Sequence, residues 1–182
     1  VANELNLQLN GTYFSGHENS IVAEQCDLIF LVIPFEHLKE TLTELTSKFK
    51  IDTILVDVTV PLVFNQGYAM CKRNSSYESA SEYIQSLVSK DVTVIGAFKT
   101  ISASKLSSIT KPLNVDVFLT GNNKDKKNEL KEILSKIVGL TILDAGPLEF
   151  SRTTEQMTAF VINLNKLNKL KHASFKVISD DH

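Results

Sequence analysis

Five short apolar runs, separated by stretches of a different period, constrain this chain more than any other feature. They are Leu28–Ile33, Thr53–Val58, Val92–Phe98, Val115–Leu119 and Leu140–Leu143. Each is rich in Val, Ile and Leu and shows no regular alternation with polar residues. A strand covered on both faces reads this way, because neither side meets water; a half-wet antiparallel strand would alternate. Between the runs the period lengthens to that of a helix. Phe35, Leu38, Leu42 and Leu45 form one stripe, and Ala80, Tyr83, Ile84, Leu87 and Val88 a second. Leu130, Ile133, Leu134 and Ile137 form a third. Strands alternating with helices predict βαβ crossovers and an α/β fold with an open, doubly wound, mostly parallel sheet.

Local signals agree. Asn122-Asn123 offers a helix N-cap, and Gly139 stands where a helix end favours positive φ. A last helix is expected over 149–170, with Met157, Phe160, Val161 and Leu164 buried, and a final strand over Ala173–Ile178. The lysines between Asn122 and Lys131 alternate with Asp and Glu, so they read as a solvated helix face. With no Pro- or Gly-rich linker and no repeat, 1–182 reads as a single domain.

Composition narrows the function. Net charge is −2 over 182 residues, which gives no electrostatic draw toward nucleic acid or an anionic membrane. No apolar run approaches the roughly 20 residues a membrane-spanning helix needs, and Val1-Ala2-Asn3-Glu4-Leu5 lacks the features of a signal peptide. Val1 in place of Met is read as a start inside a longer reading frame, with a non-standard start codon or a trimmed end as the alternatives. Cys26 and Cys71 have no CxxC spacing, which fits a reduced, cytoplasmic setting. The sequon Asn74-Ser75-Ser76 is read as chance. His17, His37, His172 and His182 are scattered, and neither G-x-S-x-G nor His-Glu-x-x-His occurs. Of the histidines only His37 stands beside a strand end, as a ligand contact or as an exposed residue in the first turn of a helix.

In an open parallel sheet ligands bind beyond the carboxyl ends of the strands. The segments there are Pro34-Phe35-Glu36-His37, Thr59-Val60-Pro61, Lys99-Thr100-Ile101-Ser102-Ala103 and Asp144-Ala145-Gly146-Pro147. The last reads as a turn into the final helix, with Gly146 needed for its backbone. A dinucleotide site also asks for G-x-G-x-x-G after a first strand, and none of the seven glycines forms it. Gly11-Thr12-Tyr13-Phe14-Ser15-Gly16 is followed by His17-Glu18, without the lysine and hydroxyl of a phosphate-binding loop.

These loops carry a family resemblance. Ile33-Pro34-Phe35-Glu36-His37 resembles the "I-P-W/F-E-H" segment of the NADPH-dependent reductases of the deazaflavin coenzyme F-420. Gly96-Ala97-Phe98-Lys99-Thr100-Ile101-Ser102-Ala103 is similar to their "A-F/L-H-T-I/V-P-A", and Leu143-Asp144-Ala145-Gly146-Pro147-Leu148 to their "L-D-A-G-P-L". Glu155-Gln156-Met157-Thr158 stands near their "E-x-L-T-P". The likeness runs from about Glu18 to Val177, with the three segments in order. It implies a Rossmann-like domain lacking the first β-α-β phosphate-binding unit, with Val1 to Asn10 on a helix. It also implies hydride transfer between NADP and a deazaflavin, chemistry that asks for stacked rings and excluded water more than for acid–base side chains.

By this resemblance Ile33, Pro34 and His37 border the NADP ribose and nicotinamide, with Val60 and Pro61 nearby. Lys99, Ile101, Ala103 and Thr158 face the deazaflavin. Each also has a plain structural reading: Pro34 and Pro61 ending strands, Ile101 and Thr158 packing. Lys99 stands where the family usually has histidine, and Ser102 and Ala159 where it has proline. A lysine there could pair with an anionic coenzyme or snorkel to water. Flavin-using relatives fit the same segment, so flavin stays open as the second coenzyme. The expected partners are small-molecule coenzymes, with a homodimer allowed for. The rival is a catalytically silent Rossmann-like interaction or dimerisation module.

Overall fold

The computed structural model describes residues 1–72, 76–107 and 112–180. Asn74 and Ser75 of the sequon and His182 lie outside them. In chain order the first half forms α1 (Ala2–Gln8), α2 (Asn19–Gln25), β1 (Leu28–Leu31), α3 (Leu38–Leu45), β2 (Ile54–Asp57), β3 (Leu62–Asn65) and β4 (Tyr68–Cys71). The second half forms α4 (Ala80–Leu87), β5 (Thr93–Gly96), α5 (Ala103–Leu106), β6 (Val115–Leu119), α6 (Lys124–Leu134), β7 (Leu140–Asp144) and α7 (Ser151–Asn168). Short 3-10 turns, Phe35–His37 and Leu148–Phe150, lead into α3 and α7.

All five apolar runs are strands, and they pair in parallel. β2 lies between β1 and β5, with Asp57 opposite both Leu31 and Gly96. β6 and β7 form a second parallel pair. Gly96 and Thr120 join the two groups through one antiparallel bridge, exchanging backbone hydrogen bonds of 2.9 and 3.0 Å. Alternation along β2 explains why its run is uniformly apolar. Ile54 and Val56 enter one core with Val117, Leu119 and the α6 residues Leu130 and Leu134. Leu55 enters the other, with Leu38 and Leu42 of α3, Ile84 of α4 and Val94. Helices therefore cover both faces, as a doubly wound sheet requires.

Sequence chemistry places the helix ends. Ser79-Ala80-Ser81-Glu82 closes a capping box: Ser79 Oγ accepts from Glu82 N–H at 3.1 Å and donates to Glu82 Oε2 at 2.9 Å. Asn123 caps α6 by accepting from Lys126 N–H, and Gly139 and Gly146 adopt φ of 86° and 95°. Gly146 N–H also donates to Asp144 Oδ1 at 2.9 Å, which makes the expected turn. Val1 to Asn10 carries the expected helix as α1.

Four expectations need correction. Residues 173–178 form no strand; they run as extended chain past β6, where Phe175 O accepts from Asp116 N–H and Val177 N–H reaches Asp116 Oδ2. The final helix is shorter than 149–170, because its first turn is the 3-10 segment and Lys169 turns left-handed at φ 54°. Its inner face is also not the apolar stripe expected. Phe160 is exposed, while Ser151, Thr154 and Glu155 are buried beside Ala159 and Val161. Ile133 of α6 and Ile137, three residues past its end, face outward, whereas Lys127 turns in, 2.5 Å from Asp144 Oδ1.

The β3–β4 hairpin was unforeseen. Its Gln66-Gly67 turn has both residues at positive φ, 49° and 78°, the geometry that suits strand twist. Asn163 of α7 binds its backbone through both amide atoms, accepting from Ala69 N–H and donating to Ala69 O. That clamps the hairpin over the carboxyl end of the sheet.

Candidate functional site

Two openings matter for the site, of which the first lies at the carboxyl ends of β1 and β2. The first is an open cleft of about 430 Å³ whose walls are Val32, Ile33, Pro34 and Phe35 on one side and Val58, Thr59, Val60 and Leu62 on the other, with Thr158 of α7 at its edge. The second is a polar groove of about 440 Å³ between β4, the approach to α4 and α7, lined by Cys71, Lys72, Tyr77, Glu78, Arg152, Glu155 and Gln156. Between them is a small cavity of about 60 Å³, which shares Phe35 with the cleft and Glu155 with the groove.

Beneath both openings is a buried ionic cluster. Asp57, the last residue of β2, is fully buried. Its Oδ1 accepts from the Thr59 amide and hydroxyl at 2.8 and 2.7 Å, and its Oδ2 from Ser81 Oγ and Lys99 Nζ, both at 2.6 Å. Lys99 Nζ also donates to Thr59 O at 2.7 Å and lies 3.2 Å from Glu155 Oε1. Glu155 Oε1 accepts from Ala80 N–H at 2.9 Å. Among the described residues its Oε2 has no hydrogen bond. Lys99 follows Phe98, whose φ of 57° turns the chain inward. That backbone is in turn held by Thr158 Oγ1, which donates to Lys99 O at 2.7 Å.

The charges do not balance. One ammonium serves two carboxylates in a buried setting that screens charge poorly, and buried charge without a partner is costly. Burial, followed by the neighbouring Asp57, pushes the Glu155 carboxyl up to about 7, against the opposing pull of Lys99 and the Ala80 N–H. Burial and then Glu155 push the Cys71 thiol up to about 11, so it is neutral near pH 7 and a poor nucleophile.

A layer of hydroxyls packs next to this cluster. Thr120 Oγ1 and Ser151 Oγ lie 2.5 Å apart, and they and Ser81 crowd the bare Cα of Gly96. A Cβ there would meet Thr120 Oγ1 at 2.5 Å and Ser151 Oγ at 2.6 Å.

Of the residues singled out in the sequence, Ile33, Pro34, Val60 and Thr158 come together in the open cleft. Pro61 lines the small cavity next to it. His37 is exposed in the 3-10 turn before α3, Ile101 packs against the core and Ala103 opens α5 in an exposed position. Lys99 does not snorkel. It is 5% exposed with its ammonium spent on protein oxygens. Asp57, Ser81 and Glu155 were missed as site residues. The available signal was Asp57 itself, a carboxylate inside an otherwise apolar strand.

A parallel sheet covered on both faces, with its cleft beyond the strand ends, defines a Rossmann-like α/β domain. The chain is related to the reductases named "F420-dependent NADP reductase". It is 29% identical over 167 residues to that of Methanothermobacter marburgensis, covering 89% of this chain and 73% of the relative. It is 28% identical over 163 residues to that of Methanocaldococcus jannaschii, covering 89% and 72%. A crystal structure from Arthrobacter sp. FB24, which carries the same reductase name provisionally, superposes with a TM-score of 0.71 at 22% identity. That likeness covers 88% of this chain and 73% of the other. A Sinorhizobium meliloti protein of unassigned function follows at 0.59 and 23%, covering 71% and 60%. No family model matches the chain.

Proposed function

We propose that this chain is an oxidoreductase domain that passes a hydride between NADP(H) and the deazaflavin coenzyme F-420. The observation that carries the reading is the relationship to F420-dependent NADP reductases along nine-tenths of the chain. The open cleft fits what those coenzymes need. Its walls are mainly apolar, from Val32, Ile33, Pro34, Val58, Val60 and Leu62, and its volume of about 430 Å³ accepts a flat heterocycle. Ile33, Pro34 and Val60 supply surfaces for a nicotinamide ring, and Pro61 extends them. Thr158 sits on the opposite edge, on the deazaflavin side, with Ile101 and Ala103 on the chain leading away from it and His37 at the outer rim by the ribose. Lys99 acts from beneath, through the backbone it ties down.

When bound, the two coenzymes supply the hydride donor and acceptor. The protein's part is to align them and keep water away, and the apolar cleft suits that. Cys26 and Cys71 are both free thiols, which supports a reducing, cytoplasmic setting. No described helix is long and apolar enough to cross a membrane. A homodimer is part of this reading and is checked by the mass in solution.

The test is a fluorescence titration, because the chain has no Trp to overlap NADPH emission. NADPH emission should change on binding, and addition of oxidised F-420 should then bleach it. An emission that the protein leaves unaltered overturns the reading. Substituting ordinary flavin for F-420 in the second step distinguishes the two acceptors.

A further inference from the structure

We propose that Glu155 is the proton-holding residue of this site, carrying on Oε2 the proton that must accompany hydride uptake by the second coenzyme. The inference rests on the oxidoreductase reading and adds a residue and a role to it.

Stoichiometry creates the need. When NADPH reduces an oxidised deazaflavin, a hydride leaves C4 of the dihydronicotinamide, and the acceptor ring gains one further proton to stay neutral. That proton comes from neither coenzyme. In the proposed step the Oε2–H bond of Glu155 breaks and its proton passes to the ring nitrogen that becomes basic as the hydride arrives. The carboxylate left behind is held by Lys99 and the Ala80 N–H, then takes a proton back from water in the groove. In the opposite direction Glu155 accepts that proton.

Geometry supports this role for Glu155 over its neighbours. The residue is 2% exposed, yet its two oxygens have different fates. Oε1 is fixed by the Ala80 N–H and Lys99 Nζ, which leaves Oε2 free of any hydrogen bond among the described residues. The same side chain lines both the polar groove and the small cavity next to the open cleft. It therefore borders both the groove and the cavity that adjoins the open cleft at Phe35. Asp57, by contrast, has both oxygens saturated, and Lys99 donates to Asp57 Oδ2 and Thr59 O besides its ion pair with Glu155.

The charges around Glu155 favour a proton there. From β2 it faces Asp57, from the turn after β5 Lys99, and from α4 only the Ala80 N–H. From β4 and the chain beyond it faces the neutral Cys71 thiol, Lys72, Tyr77 and Glu78; from its own helix, Arg152. Asp57 offsets Lys99, and Glu78 pairs with Arg152. Among the described residues an ionised Glu155 would thus be a buried anion whose nearest cation, Lys99, is already paired with Asp57, with Lys72 at the groove wall. That environment lifts the carboxyl to about 7, where an acid is most effective near neutral pH.

The first experiment needs no coenzyme. Carboxyl infrared difference spectra of the full chain, wild type against Glu155→Gln, should show a protonated carboxyl that titrates near neutrality and is absent from the variant. A Glu155 already ionised at about pH 5, as an exposed carboxyl is, overturns the proposal. The second follows NADPH-driven reduction of F-420 from about pH 5 to about pH 9. The wild-type rate should fall above the Glu155 transition, Glu155→Gln should be about 100-fold slower with that fall abolished, and Glu155→Asp should retain it. Asp57→Asn, which removes a like charge, should move the fall to lower pH, and it carries the comparison if Glu155→Gln does not fold. A wild type that reduces F-420 while Glu155→Gln keeps the same profile overturns the proton role alone. A wild type that neither binds NADPH nor reduces F-420 overturns the oxidoreductase reading and the proton role together.

Discussion

Lys99 Nζ lies 2.6 Å from Asp57 Oδ2, and both side chains are at most 1% exposed. This contact joins the carboxyl end of β2 to the turn after β5. Because Lys99 also donates to Thr59 O and its own carbonyl accepts from Thr158, one residue ties both edges of the open cleft together. The lysine is therefore a structural keystone of the cleft, with its ammonium already held by protein oxygens.

Replacing Lys99 by Met should be strongly destabilising. It leaves Asp57 and Glu155 facing each other without a cation, and breaking one partner of a buried pair costs about 3–5 kcal/mol. Protonation of Glu155 relieves part of that, so the loss should be smaller at mildly acidic pH. Urea unfolding of the variant at two pH values measures both effects. A midpoint within error of wild type at neutral pH would show that the pair contributes little.

Glu155 also makes stability depend on pH. Its carboxyl rises from 4.5 unfolded to about 7 folded, so the folded state binds the extra proton. The resulting stabilisation is complete below the unfolded value and is lost as pH rises through about 7. A shift of this size is worth about 3 kcal/mol across the window. Denaturant midpoints should fall over that range in wild type, and Glu155→Gln should flatten the curve.

Gly96→Ala should cost about 1–3 kcal/mol through overpacking. The added methyl would fall within 3 Å of three buried hydroxyls, those of Thr120, Ser151 and Ser81. None of these short side chains can swing away, since each is anchored close to its own backbone. Pairing the change with Ser151→Ala should recover part of the lost midpoint in thermal unfolding.

Lys127→Met should loosen the turn into α7. Lys127 Nζ binds Asp144 Oδ1 at 2.5 Å and Gly146 O at 3.1 Å, and it is that hydrogen bond first that lowers the Asp144 carboxyl. Asp144 is half exposed, so water screens the pair and the expected loss is only about 1 kcal/mol. A folded carboxyl below its usual range adds stability at neutral pH that disappears as pH falls through the lowered value. Acid unfolding should therefore begin at higher pH in the variant.

The sheet was legible in the sequence because a strand buried on both faces leaves an uninterrupted apolar run. The turns at Gly139 and Gly146 were legible for a similarly local reason: few residues tolerate positive φ. The hairpin was not, because β3 and β4 are four residues each and their turn is Gln-Gly, weaker than Asn-Gly. Its stability comes from Asn163, ninety-four residues away from Ala69. The inner face of α7 was misread for a related reason. Its Ser151 and Glu155 look like solvent positions until the partners that satisfy them, Thr120 for the first and Ala80 and Lys99 for the second, are in place.

Apolar periodicity and turn chemistry are properties of neighbouring residues, and they sufficed to set the α/β class, the strand runs and the loops at the carboxyl edge. Four cleft residues, Ile33, Pro34, Val60 and Thr158, were also within reach, since each belongs to a segment that borders a strand end or to the family-like motif before the C-terminus. Only the tertiary structure decided where Lys99 points and what surrounds Glu155. A lysine on a loop is ordinarily a surface cation, and a glutamate on a helix an ionised one. Burial among Asp57, Thr59 and Ala80 takes the lysine out of solvent and raises the glutamate's carboxyl, because desolvation and the sign of the nearest charges are set by residues far apart in the chain.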